Sequence, residues 1–139
     1  SAILKDEEIE LYGQGKVSRD FTYVDDLVEA ILRLADLPPA EANRVPDPVG
    51  DTLSRHAPFR AVNIGAGRPI NVEALVEAIE DAMGRKARVR RVPMQKGDVP
   101  RTFASSRLLE ALTGFVPKVE VADGVRAFVE WYRSQEPAG

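Results

Sequence analysis

The chain has 139 residues, 19 basic against 22 acidic side chains, a net charge of −3 and no cysteine. That length suits one domain or part of one and can bury a core. Lack of cysteine excludes disulfides, thiolate metal sites and thiol nucleophiles, and no apolar run approaches a membrane span, so a cytoplasmic protein without a membrane partner is expected. No leader peptide is visible. The chain opens on Ser1 rather than Met and reads as a piece of a longer protein.

Residues 8–12 alternate polar and apolar side chains, which predicts a strand. Gly13-Gln14-Gly15 reads as a turn. A second strand is predicted over 20–24, where β-branched and aromatic residues concentrate. Asp25 or Asp26 then caps a helix, with Glu29 completing a capping box with Asp26. Leu27, Val28, Ile31, Leu34 and Ala35 form its apolar face, and Pro38-Pro39 ends it. Residues 38–58 are a long Pro-rich loop without period, of the kind that is functional or disordered.

The run 61–64 before Gly65 reads as a buried strand. Asn71 caps the next helix, whose inward residues are Leu75, Val76, Ile79 and Met83 and whose stop is Gly84. A strand over 88–92 leads into a loop through Gly97-Asp98-Val99-Pro100. Ser105 or Ser106 caps a short helix carrying Leu108, Leu109 and Leu112, closed by Gly114. A last helix covers about 121–132, with Val125, Phe128, Val129 and Tyr132 inward. Strands alternating with helices predict an α/β fold with some parallel pairing. The buried strands are too few for a complete doubly wound sheet, and residues 1–139 are read as a single region.

Several motifs have plain structural explanations. The basic run Arg85-Lys86-Ala87-Arg88-Val89-Arg90-Arg91 is interleaved with Ala87 and Val89, which favours a solvated strand face over a nucleic-acid partner. Gly65-Ala66-Gly67 starts like the dinucleotide fingerprint G-x-G-x-x-G, but Ile70 holds the third position and Arg68-Pro69 intervene, so a simple turn is the better reading. His56, the one histidine, has no second ligand or triad member and reads as a loop residue. Met94 and Trp131 read as packing residues. Asp25-Asp26 could be a carboxylate pair, but a helix cap accounts for them. Tyr12 and Lys16 have the spacing of a catalytic Tyr-x-x-x-Lys, yet Gly13 and Gly15 separate them where a helix would be required.

The segment Arg19-Asp20-Phe21-Thr22-Tyr23-Val24-Asp25-Asp26 resembles the Arg-Asp-Phe-x-x-Val-x-Asp stretch of the extended short-chain dehydrogenases/reductases that act on nucleotide sugars, the NAD-dependent epimerase/dehydratase family. The resemblance covers nearly the whole chain. Val62-Asn63-Ile64-Gly65 resembles the family's Tyr-Asn-Ile-Gly strand, and Gly124-Val125-Arg126 through Trp131-Tyr132 its closing helix. Met94-Gln95-Lys96-Gly97-Asp98-Val99 resembles its Gly-Asp loop. Within the family, that loop and Ala57-Pro58-Phe59-Arg60 after a Pro-rich loop are most similar to UDP-glucuronate 4-epimerases.

The resemblance implies the C-terminal, substrate-binding portion of a Rossmann-type enzyme whose N-terminal NAD-binding half is absent. It implies an NAD-dependent isomerase that epimerises the C4 position of a UDP-sugar; a dehydratase or decarboxylase of the same family, or a non-catalytic sugar-nucleotide-binding module, are the alternatives. Arg19 is implied to hold the diphosphate, a role that suits a guanidinium fork; a salt bridge to Asp20 or a neighbour is the structural alternative. Tyr12, flanked by Leu11 and Gln14, is implied to lie near the uracil or ribose, and Val72 to touch substrate at the start of its helix. Asp98 is implied to meet the ribose hydroxyls or orient basic groups. Gln95 stands where the family has a second phosphate arginine, and Arg101 could replace it. No catalytic residue, NAD site or metal site is expected on this chain alone. The resemblance implies a parent homodimer formed through the missing half, and an isolated portion is expected to self-associate.

Overall fold

A computed structural model describes residues 1–135. The chain divides into two compact units, one formed by 1–19, 69–102 and the stretch from Glu120 onward, the other by 20–68 and 103–119. The expected α/β character is present, and among the described residues the sheets are small: two separate two-stranded pairs. No helix among the described residues is long and apolar enough to cross a membrane.

In the first unit, β1 (Glu8–Leu11) pairs in parallel with β4 (Arg88–Arg91), from Glu8 opposite Arg88 to Leu11 opposite Arg91. Charge complementarity supports this register. Arg90 Nε lies 2.9 Å from Glu8 Oε1 and its Nη2 pairs with Glu10; Arg91 pairs with Glu73 and Arg88 lies 3.9 Å from Asp6. Exposed pairs of this kind add little stability singly. Together they answer each cation of β4 with a carboxylate, as a solvated strand face does.

β2 (Ser18–Arg19) pairs antiparallel with β3 (Ile70–Asn71), which leads into α2 (Val72–Met83). The expected strand over 20–24 does not form; the ladder stops at Arg19 and a helix begins at Val24. Asn71 occupies the N-cap position of α2, but its side chain accepts a hydrogen bond from Ser18 Oγ at 2.9 Å instead of capping. Gly84 ends α2 in the left-handed conformation, as expected. α4 (Val121–Gln135) packs along α2, extends one turn beyond the expected end, and its Arg133 donates to the Met83 carbonyl at 2.9 Å. Val129 is buried, whereas Phe128 and Trp131 are exposed and pair with each other at 5.6 Å between ring centroids. Trp131 and Met94 are therefore surface side chains rather than packing residues.

The second unit holds α1 (Val24–Ala35) and α3 (Arg107–Thr113), which pack on each other. Tyr23, not an aspartate, is the N-cap of α1; Asp25 and Asp26 fall in its first turn. Asp26 is buried and accepts from the backbone amides of Lys118 and Val119, both at 2.8 Å, so it anchors a loop and forms no capping box. Glu29 instead pairs with Arg33 at 2.6 Å. Ser106 likewise does not cap α3; its hydroxyl donates to the Gly65 carbonyl. Residues 61–64 run without a ladder, since none of the described strands lies in this unit. The face of α1 that reads as inward is largely open: Leu27, Val28 and Ile31 are 37%, 47% and 50% exposed, and Leu32 beside it is 59% exposed. The 38–58 loop contains a 3-10 turn, Glu41–Asn43, and is ordered around Arg60, which forms a fork with Asp51.

Candidate functional site

All eight expected binding residues belong to the first unit. They gather on three segments: the turn after β1, the β2–α2 junction, and the loop after β4.

The turn is a 3-10 segment, Tyr12–Gly15, with three successive left-handed residues: Gly13 at φ 62°, Gln14 at φ 57° and Gly15 at φ 77°. Glycine is required for space as well as for φ. A Cβ on Gly13 would lie 2.4 Å from Val17 Cγ2, and one on Gly15 3.1 Å from a Glu73 carboxylate oxygen. The turn is therefore pressed against the chain leading to β2 and the first turn of α2. Gln14 N donates to the Val92 carbonyl at 3.2 Å, and Val92 N to the Leu11 carbonyl at 3.0 Å, which ties the turn to the end of β4. Leu11 is itself a core side chain. Tyr12 points its hydroxyl at Glu10, donating to Oε2 at 2.6 Å. That bond, with the charge of Glu10, holds the phenol above its ordinary pKa. Lys16 shares no helix with Tyr12, so the pair lacks the catalytic geometry.

Arg19 is fixed by three acceptors. Nη1 donates to the carbonyls of Ser18 and Val99, both at 2.9 Å, and Nη2 to Asp98 Oδ1 at 2.7 Å. Asp98 is held in turn: its Oδ1 accepts from Val99 N at 2.9 Å, and its own amide donates to the Gln95 carbonyl at 3.2 Å. The salt bridge thus goes to Asp98, not to Asp20. Arg101 lies opposite Ser18 in a short parallel bridge, with Ser18 N donating to the Pro100 carbonyl and Thr102 N to the Ser18 carbonyl. Val72 begins α2, its amide donating to the Val17 carbonyl at 2.9 Å.

The structure thus joins Arg19 with Asp98, and bridges the Arg101 position to Ser18 beside Arg19. Three of the five N–H donors of Arg19 are used within the chain, which fixes the orientation of a partly exposed guanidinium. Nothing here is arranged as a nucleophile with a base, and no group of three or more metal-ligating side chains exists among the described residues. Glu10 escaped the sequence reading; its signal is the strand period, which places residues two apart on one side.

The Gly65-Ala66-Gly67 loop, in the second unit, does not fit a dinucleotide. The amides of Gly67 and Arg68 donate to the carboxylate of Asp20, at 3.1 and 3.3 Å, so an internal anion takes the N–H groups a pyrophosphate would need. A Cβ on Gly65 would lie 2.5 Å from Ala104 Cβ, so close packing accounts for that glycine. His56 is an exposed loop residue whose amide donates to Ser54 Oγ.

Residues 1–46 match the model of the NAD dependent epimerase/dehydratase family. Over 132 residues the chain is 60% identical to a probable UDP-glucuronate 4-epimerase of Rhizobium meliloti (strain 1021), covering 94% of this chain and 39% of that protein. Among solved structures it is similar to MoeE5 in complex with UDP-glucuronic acid and NAD, with a TM-score of 0.74, 27% identity and coverage of 97% of this chain and 40% of the other. It is also similar to the UDP-glucose 4-epimerase of Thermotoga maritima solved with UDP-glucose, with a TM-score of 0.74, 28% identity and coverage of 96% and 37%. The chain spans about two fifths of the length of these relatives.

Proposed function

Since the chain belongs to the NAD-dependent epimerase/dehydratase family, we propose that it is the UDP-sugar-binding portion of a nucleotide-sugar 4-epimerase acting on UDP-glucuronate. The observation that carries this reading is the 60% identity over 132 residues to a probable UDP-glucuronate 4-epimerase. The pinned Arg19 supports it. In this reading Arg19 receives the diphosphate, the Tyr12 ring lies against the nucleoside, and Asp98 and the 95–101 loop border the ribose and phosphates. The redox cofactor of the parent enzyme, NAD, would be held outside residues 1–139, in keeping with the use of the Gly67 and Arg68 amides by Asp20. The portion alone would then bind without turning over substrate.

Calorimetric titration of the chain with UDP-glucuronate and with UDP tests this. Saturable binding of both is expected, with Arg19→Ala weakening each about tenfold or more, as for a lost charge-assisted fork. A folded Arg19→Ala variant that binds UDP as well as the unaltered chain would overturn the assignment.

The open face of α1 has its own consequence. Val24, Val28, Ile31 and Leu32 form an exposed apolar stripe of the kind that drives association. Sedimentation equilibrium of the chain should show concentration-dependent self-association, and replacing Val28 and Ile31 by lysine should reduce it. If the doubly substituted chain associates as strongly as the original, the α1 face is not the contact.

A further inference from the structure

Glu10 lies on β1 two residues before Tyr12, and its carboxylate bridges two groups. Oε2 accepts the Tyr12 hydroxyl at 2.6 Å, and Oε1 accepts from Arg90 Nη2. Arg90 is braced from the other side by Glu8 at 2.9 Å. Tyr12 needs such a brace because it opens a turn whose next three residues all have positive φ, so its own backbone neighbours supply no regular ladder to fix the ring. With its hydroxyl turned to Glu10, the aromatic face is what Tyr12 has left to present to a ligand.

We infer that Glu10 is a positioning residue: braced by Arg90, it holds the Tyr12 ring as a platform for the nucleoside end of a nucleotide ligand. The inference rests on the sugar-nucleotide reading above, in which Tyr12 faces that end. A ring fixed before binding loses less conformational freedom on contact, so the benefit appears as affinity for the nucleoside and not for phosphate. The bond from phenol to carboxylate is of the stronger, charge-assisted kind.

The test is calorimetric titration of the full chain and its variants with UDP and with inorganic pyrophosphate. Glu10→Ala should weaken UDP binding three- to tenfold and leave pyrophosphate binding unchanged. Glu10→Gln, whose amide oxygen still accepts from the phenol, should recover most of the loss. In a Tyr12→Phe background, with no hydroxyl to hold, Glu10→Ala should add nothing. Equal weakening of UDP and pyrophosphate by Glu10→Ala, or undiminished weakening of UDP in the Tyr12→Phe background, overturns the inference. Unaltered UDP affinity in Glu10→Ala overturns it while leaving Tyr12 in place. Unaltered UDP affinity in Tyr12→Ala overturns the nucleoside role of Tyr12 and the inference with it.

Discussion

Replacing Arg60 by alanine is expected to destabilise the second unit by about 3–5 kcal/mol, the range for removing one partner of a buried ion pair. Arg60 and Asp51 are each only 3% exposed, and the guanidinium meets the carboxylate as a fork, Nε to Oδ1 at 2.8 Å and Nη2 to Oδ2 at 2.9 Å. Nη1 also donates to Asn43 Oδ1 and Nη2 to the Asn43 carbonyl. Asp51 accepts from the amides of Val45 and Leu53 as well. Without Arg60 that carboxylate loses the one side chain that pairs with it as a fork. Hydrogen exchange at the Val45 and Leu53 amides is the direct readout, and it should accelerate strongly in Arg60→Ala. Exchange at the rate of the unaltered chain would show that the pair does not order the loop.

The same pair sets an acid limit. Its hydrogen bonds to Arg60, and those from Val45 and Leu53, hold Asp51 down to about 2, against 3.8 for a free aspartate. A depressed carboxylate pKa contributes stability that is complete above the unfolded value and is lost as pH falls through the folded one. Unfolding free energy should therefore drop between about pH 4 and pH 2, and Asp51→Asn should flatten that part of the curve. An unchanged slope in Asp51→Asn would assign the acid sensitivity to other carboxylates.

Local chemistry was legible in the sequence wherever it depends on near neighbours. Period and end signals located α2, with Gly84 as its stop, and the alternation in 8–12 and 88–92 located β1 and β4. Burial was less legible, because it depends on what covers a face. The apolar positions of α1 have the period of an inward stripe, yet 27, 28 and 31 are open in this chain. The run 61–64 has strand composition but no strand beside it. Capping roles were misread for a related reason. Ser106 sits at an N-cap and Asp26 in the first turn of α1, but their donor and acceptor groups go to backbone distant in sequence, which no local rule reports. Of the binding cluster, the residue types and their motif were readable; the pairing of Arg19 with Asp98, 79 positions apart, required the fold.

Asp20 shows how such a long-range role can be tested. Its carboxylate accepts from three backbone amides, Gly67 at 3.1 Å, Arg68 at 3.3 Å and Ala104 at 3.0 Å. These join two segments of the second unit that share no ladder. Hydrogen bonds to a charged acceptor contribute more than neutral ones, about 1.5–3 kcal/mol each when taken singly, and a cluster sharing one carboxylate contributes less than their sum. Asp20→Ala is accordingly expected to cost about 3 kcal/mol in denaturant unfolding, and Asp20→Asn less, because one acceptor oxygen remains. The amides of Gly67 and Arg68 would then lose the carboxylate they share, leaving two neighbouring backbone donors for an anion to take. Phosphate should therefore stabilise Asp20→Ala more than it stabilises the unaltered chain, by the usual mass action of a ligand that binds only the folded form. Equal stabilisation of both proteins by phosphate would mean that the amides are re-satisfied by the chain itself, and that Asp20 acts by filling space rather than by charge.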